Sequence, residues 1–190
     1  MTQLDPSQTV YQGKIFSVRK QPVPQPNGAI AMYDIVDHVD AVAIVALRTE
    51  AGEAEPLVAL VHQSRPAVGQ QTWEIPAGLM DDPEDGGDPE ATARRELAEE
   101  IGYEAGNLRL LVREYSSAGF TNEMLWIYLA TDLRALPVAT APDPFEITRV
   151  EWAPLSVAME RCLNDPVADS KTLIGLWLAR DALTADEMSR

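Results

Sequence analysis

Arg95-Glu96-Leu97-Ala98-Glu99-Glu100-Ile101-Gly102-Tyr103 is the stretch whose reading decides the fold. Its residues are good helix formers, and Gly102 is a natural helix stop. Residues three and four apart share a helix face, so Glu96, Glu99 and Glu100 are predicted to project towards one small volume. Like charges at that spacing repel by roughly a few tenths of a kcal/mol. A bound divalent cation such as Mg²⁺ offsets that cost, because it takes hard oxygen ligands. Three glutamates alone describe a solvated acidic face more readily than a metal site. The sequence around them reverses that preference.

Upstream lies Trp73-Glu74-Ile75-Pro76-Ala77-Gly78-Leu79, an apolar, strand-like segment broken by Pro-Ala-Gly. An acidic, glycine-rich loop follows over residues 81–88. Asp88-Pro89-Glu90 then opens the helix with a good N-cap and a proline suited to the first helical position. This composite resembles the box of the Nudix hydrolase family: glycine, five residues, glutamate, seven residues, then REUxEExGU, where U is aliphatic or aromatic. The second half matches throughout, with Tyr103 in the last position. The first half departs in spacing. Gly87 stands where the box expects glutamate, and Gly78 lies three residues too far from Arg95. Gly78 and Glu84 keep five residues between them, so three residues inserted after Glu84 account for both mismatches. Residues 81–88 read as a solvated loop, and Glu84 receives no catalytic role.

A narrower likeness lies outside the box. Asp37-His38-Val39-Asp40 with the apolar run 41–47, Gln63-Ser64-Arg65-Pro66, Ala118-Gly119-Phe120-Thr121-Asn122-Glu123 and Asp169-Ser170-Lys171-Thr172 are similar to the ADP-ribose pyrophosphatase branch of the family. The likeness spans residues 8–183. The branch usually carries proline where Ala118 stands; alanine permits the same loop without stiffening it.

The resemblance implies an α/β protein, a Nudix-type α/β/α sandwich with a mixed sheet plus an N-terminal antiparallel β-hairpin or sheet. It implies Mg²⁺-dependent hydrolysis of a nucleoside diphosphate linked to X, with ADP-ribose first. ADP-glucose, GDP-mannose, NADH and flavin adenine dinucleotide are the alternatives. It further implies a homodimer, with residues 1–37 as the dimerising extension and residues 38–190 as the hydrolase domain. Glu96 and Glu100 are expected as principal Mg²⁺ ligands, Glu99 as a shared or water-mediated one, and the Ala77 carbonyl as another. Mn²⁺ is the expected substitute. Hard oxygen ligands and the lack of a His/Cys cluster disfavour zinc. Arg95 is expected to orient the glutamates through charge-assisted hydrogen bonds. Aligning on Val150-Glu151-Trp152-Ala153-Pro154 puts Glu146 at the general-base position of the branch, with Asp143 and Glu123 as competitors. The opposing class is a module that binds a nucleotide sugar without turnover. Retention of all three glutamates argues against it.

For the substrate, Arg65 is the first candidate, because it ends a buried strand just before Pro66. Phe120 is expected to line the pocket and Glu74 to hydrogen-bond a polar group, with ordinary packing or a structural ion pair as the competing reading for each. Tyr11 and Phe16 fit a core or dimer interface better than an adenine platform. His38 and His62 read as structural.

The composition sets outer limits. With 190 residues, 46% of them hydrophobic, the chain can bury a substantial core. No apolar run reaches the roughly 20 residues of a membrane span. The net charge of −15 opposes nonspecific contact with a nucleic-acid backbone. Cys162 is the single cysteine, which precludes an internal disulfide and suggests the cytoplasm. Strands are predicted at residues 10–18, 29–36, 41–47, 57–61, 108–112, 124–131 and 149–152, with a turn-rich connector at 22–28. Helices are predicted at 155–163 and 171–183. Residues 139–145, rich in alanine and proline, read as a lid loop.

Overall fold

A computed structural model describes residues 7–137 and 147–188 of the chain. Its first strands are β1 (Gln8–Gln12), β2 (Phe16–Pro24), β3 (Ile30–His38), β4 (Ala41–Arg48) and β5 (Leu57–Arg65). Then come β6 (Gln70–Glu74), β7 (Ala77–Leu79), a 3₁₀ turn (Pro83–Asp85) and helix α1 (Pro89–Ile101). The chain continues through β8 (Tyr103–Tyr115), β9 (Met124–Ala135), β10 (Ile147–Pro154), α2 (Leu155–Asn164) and α3 (Ser170–Met188).

The run 41–47 is apolar at every position because helices cover both its faces. Val42, Ile44 and Ala46 pack with Ala93 and Leu97 of α1. Ala43, Val45 and Leu47 pack with Met159 of α2 and Leu176 of α3. β9 repeats the alternation, with Tyr128 and Ala130 towards α1 and Ile127 and Leu129 towards the other helices. The result is the expected α/β/α sandwich. Its sheet of seven described strands is mixed: β4 and β9 run parallel, while the remaining pairs are antiparallel.

A separate three-stranded antiparallel sheet, β1-β2-β3, precedes it. The expected single strand over residues 10–18 is broken in two at Gly13, whose N–H donates to the Phe16 carbonyl at 2.8 Å. A side chain there would place its Cβ 2.9 Å from that carbonyl oxygen, so the tight turn needs glycine. Pro22 and Pro24, expected in the connector, belong to β2 and pair with Met32 and Ile30. They lie beyond Lys20, the last β2 residue that pairs with β1, so there β2 is an edge and the missing N–H groups cost little. β8 is also longer than the expected 108–112, because Gly102 turns the chain directly from α1 into it.

Gly175 on α3 marks the closest helix–sheet approach. A Cβ there would lie 2.9 Å from both Ile75 Cδ1 and Val45 Cγ2, and 3.3 Å from Ile127 Cγ2. Gly175→Ala gains about 1 kcal/mol of helix propensity. It loses about 1–3 kcal/mol to overpacking against stiff, fully buried β-branched neighbours. The expected outcome is a net destabilisation on the order of 1 kcal/mol, read as a lower urea midpoint. A raised midpoint contradicts the packing described here.

Candidate active site

β4 and β5 pair directly only at Leu47↔Val58 and Arg48↔Leu57. Beyond that they diverge, β6 pairing with β5 and β7 with the start of β4. The divergence opens a cleft of about 650 Å³, walled by β4, β5, β7, the inner face of α1 and the start of α3.

α1 enters the cleft wall as its sequence requires. The Asp88 carboxylate accepts from the Glu90 N–H at 3.0 Å. Gly102 closes the helix at φ 74° and donates to the Ala98 carbonyl. Glu96 and Glu100 are each only 9% exposed, and both line the cleft. The Glu96 carboxyl fills the space beside Gly78: a Cβ on residue 78 would sit 1.9 Å from Glu96 Cδ. Glu100 Oε2 accepts from the Ala77 N–H at 3.0 Å.

Arg95 organises the outer side. It donates to Glu96 at 2.7 Å, Glu99 at 2.9 Å, Asp85 at 3.0 Å and the Leu79 carbonyl at 3.3 Å. Glu99 shares Arg95 Nη1 with Glu96, and half its side chain is exposed. Glu96 and Glu100 thus face the cleft, while Glu99 stands half-exposed beside Glu96. Among the described residues no three His, Cys, Asp or Glu side chains surround one point. Asp85 is a partner that the sequence reading missed. It sits in the 3₁₀ turn that Asp82 caps and Pro83 opens, the same Asp-Pro signal as Asp88-Pro89 six residues on.

Burial and the neighbouring Glu96 push the Glu100 carboxyl up to about 8, against the pull of the Ala77 N–H, Lys171 and Arg65. Burial also raises Glu96, with Arg95 opposing. Two carboxylates crowded into a buried cleft are short of positive charge. A divalent cation with hard oxygen preference fits that deficit.

Behind the opposite wall lies Glu74, 1% exposed. It accepts two bonds from Arg65, Nε to Oε1 at 2.7 Å and Nη2 to Oε2 at 2.6 Å, and one from the Thr72 hydroxyl at 2.5 Å. It is also ion-paired to Lys171, which reaches Asp169 at 3.0 Å. Asp169 accepts from the Thr172 N–H at 3.0 Å, and the Thr172 hydroxyl accepts from the Ile75 N–H at 3.0 Å. Arg65 therefore reaches the cleft as expected, whereas Glu74 supports it from behind.

The aromatic ring of Phe120 is not part of the cleft wall. The residue is 55% exposed, and its carbonyl accepts from the Val36 N–H. His38 and Glu123 line the cleft together, His38 Nδ1 lying 3.3 Å from Glu123 and 2.6 Å from the Val39 carbonyl. Phe16 stacks on His38, Tyr11 packs tilted against Phe16, and His62 packs on Trp73. Glu146 and Asp143 lie outside the described residues.

The NUDIX domain profile matches residues 37–173, most of the chain, so the protein belongs to the Nudix family. Members of that family generally work with divalent metal ions. An ADP-ribose pyrophosphatase of Mycobacterium tuberculosis is 35% identical over 178 residues, 94% of this chain and 82% of the relative. An ADP-ribose pyrophosphatase of Bacillus subtilis is 34% identical over 163 residues, 86% of this chain and 84% of the relative. A crystal structure of an ADP compounds hydrolase superposes with a TM-score of 0.79 at 22% identity, covering 95% of this chain and 93% of that one; it bears on the fold alone.

Glu74 supplies a pH signature. Burial raises its pKa, but hydrogen bonds from Arg65 and attraction to Lys171 outweigh it, and the carboxyl falls from 4.5 to about 2. A folded-state pKa below the unfolded one stabilises fully above pH 4.5 and is lost as pH falls towards 2. Glu74→Gln is expected to cost on the order of 3 kcal/mol at neutral pH. In urea titrations that deficit should shrink as pH falls through the same window; a pH-independent deficit contradicts the charge assignment.

Proposed function

We infer that this protein hydrolyses the pyrophosphate bond of a nucleoside diphosphate linked to X, with ADP-ribose, cleaved to AMP and ribose 5-phosphate, as the first substrate. The observation that carries the inference is the placement of Glu96 and Glu100 against Gly78 and Ala77 on the cleft wall, with Arg65 on the same cleft. The cleft's volume falls within the usual range for small-molecule sites. Relatives that share most of the chain carry ADP-ribose in their names, which places it ahead of ADP-glucose, GDP-mannose, NADH and flavin adenine dinucleotide.

Mg²⁺ is the assigned cofactor and Mn²⁺ its substitute. Glu96, Glu100 and the Ala77 carbonyl would hold it, with Glu99 contributing through water. The bound cation would supply positive charge to the phosphates and acidify a water molecule. Arg95 orients Glu96 and Glu99 through charge-assisted hydrogen bonds. Arg65, braced by Glu74, offers its guanidinium to a phosphate or the ribose. Glu146 is assigned as general base by its sequence position; Glu123, beside His38 on the cleft wall, is its competitor.

The N-terminal sheet leaves Val10, Tyr11, Ile30, Met32 and Tyr33 about half exposed. We assign residues 1–37 to a homodimer interface and residues 38–190 to the hydrolase domain. The cytoplasm is the assigned compartment, on the strength of the lone buried Cys162. None of the described helices is long and apolar enough to cross a membrane.

Glu100→Gln puts a neutral amide of the same shape where a cation would need an ionised carboxylate. It is expected to lower turnover of ADP-ribose by about 10²–10³-fold with an unchanged circular dichroism spectrum. Near-normal turnover removes the central assignment. Tight ADP-ribose binding by a wild type that turns nothing over would instead establish the non-catalytic module. Deleting residues 1–37 is expected to give a monomer by light scattering; a dimeric truncation places the interface elsewhere.

A further inference from the structure

Three cationic side chains line the cleft: Lys14, Arg65 and Lys171. Their charges are not equally available. Arg65 is paired with Glu74, and Lys171 with Glu74 and Asp169. Arg95, at the edge of the site, is shared among Asp85, Glu96 and Glu99. Lys14 alone of the three has no carboxylate within ion-pair distance among the described residues. The same cleft is lined by Asp81, Glu96, Glu100, Glu123 and Asp169. A diphosphate entering so acidic a space needs a positive charge that the protein has not already neutralised.

The backbone around Lys14 is held where such a charge is useful. Gly13 donates to Phe16 at 2.8 Å, and the Ile15 carbonyl accepts from the Val39 N–H at 3.2 Å. Phe16 stacks on His38, itself part of the cleft wall. The turn is thus closed on itself by Gly13 and Phe16 and tied through Ile15 and Phe16 to Val39 and His38, while the Lys14 side chain remains exposed.

We propose that Lys14 binds a phosphate oxygen of the substrate's diphosphate, so that the N-terminal sheet supplies a binding residue to the cleft of its own chain. Dimerisation is then not the only task of residues 1–37. The proposal rests on the pyrophosphohydrolase reading and names a substrate contact within it.

The test uses the full chain with Lys14→Gln and Lys14→Arg, and with Lys20→Gln as control, since Lys20 pairs with Asp34 away from the cleft. At low ionic strength Lys14→Gln is expected to raise KM for ADP-ribose on the order of tenfold, with kcat within about twofold. Lys14→Arg and Lys20→Gln should stay near wild type, and added salt should narrow the gap. An unchanged KM in Lys14→Gln overturns the proposal. So does an equal rise in Lys14→Arg, which would mark lost packing rather than lost charge. Calorimetric titration of ADP-ribose in EDTA reads the same contact without turnover, with a tenfold weaker Kd for Lys14→Gln expected. A wild type that binds ADP-ribose with that Lys14 dependence but cleaves nothing would sink the hydrolase reading and leave Lys14 as its ligand contact.

Discussion

The site depends on how closely α1 approaches the turn before it. The Glu96 carboxyl lies where any side chain on residue 78 would begin, and Glu100 takes the backbone N–H of Ala77. These two contacts lock the helix to β7, and β7 is paired to β4 at the centre of the sheet. The carboxylates therefore inherit the rigidity of the core rather than that of a loop. Their crowding is costly: burial and mutual repulsion push Glu100 well above the ordinary carboxylate range. A structure retains such strain where a cation or a reaction uses it.

Charge on the other wall is handled differently. Glu74 is buried and fully satisfied, with Arg65, Lys171 and Thr72 all bonded to it. Burial strengthens each of these bonds and makes the loss of any partner expensive. The network also couples distant segments: Arg65 closes β5, Glu74 closes β6, and Lys171 lies in the first turn of α3. α3 is tied to the same point by Thr172, which accepts from Ile75 between β6 and β7. A chain with net charge −15 thus keeps two cations at its cleft by anchoring them to buried carboxylate.

Much of this was legible in order along the chain. The start and end of α1, the two-faced burial of β4 and the glutamate pair all follow from local spacing and cap chemistry. Arg65 was legible from its place at a strand end. What could not be read depends on contacts between residues far apart in sequence. For Glu74 a ligand contact and a structural ion pair stayed equally open, because nothing local shows that Lys171, 97 residues later, reaches it. The pairing of His38 with Glu123 and the placement of Asp85 against Arg95 are of the same kind. Glu99 stands half-exposed beside Glu96 because Arg95, one turn before it, holds both carboxylates. Phe120 lies off the cleft wall because its loop runs beside β3, where Val36 pairs with Thr121. Gly13 reads as part of one strand over residues 10–18, and only its closure onto Phe16 shows that it ends a strand.

The central claim is that this cleft directs water onto phosphorus in a diphosphate. The most direct test is to run ADP-ribose hydrolysis with Mg²⁺ in heavy-oxygen water and to locate the label by mass spectrometry. The account predicts AMP and ribose 5-phosphate, with one heavy oxygen in the phosphate of one of them, and no product in EDTA. ADP and ribose, with the label on the sugar, would contradict it.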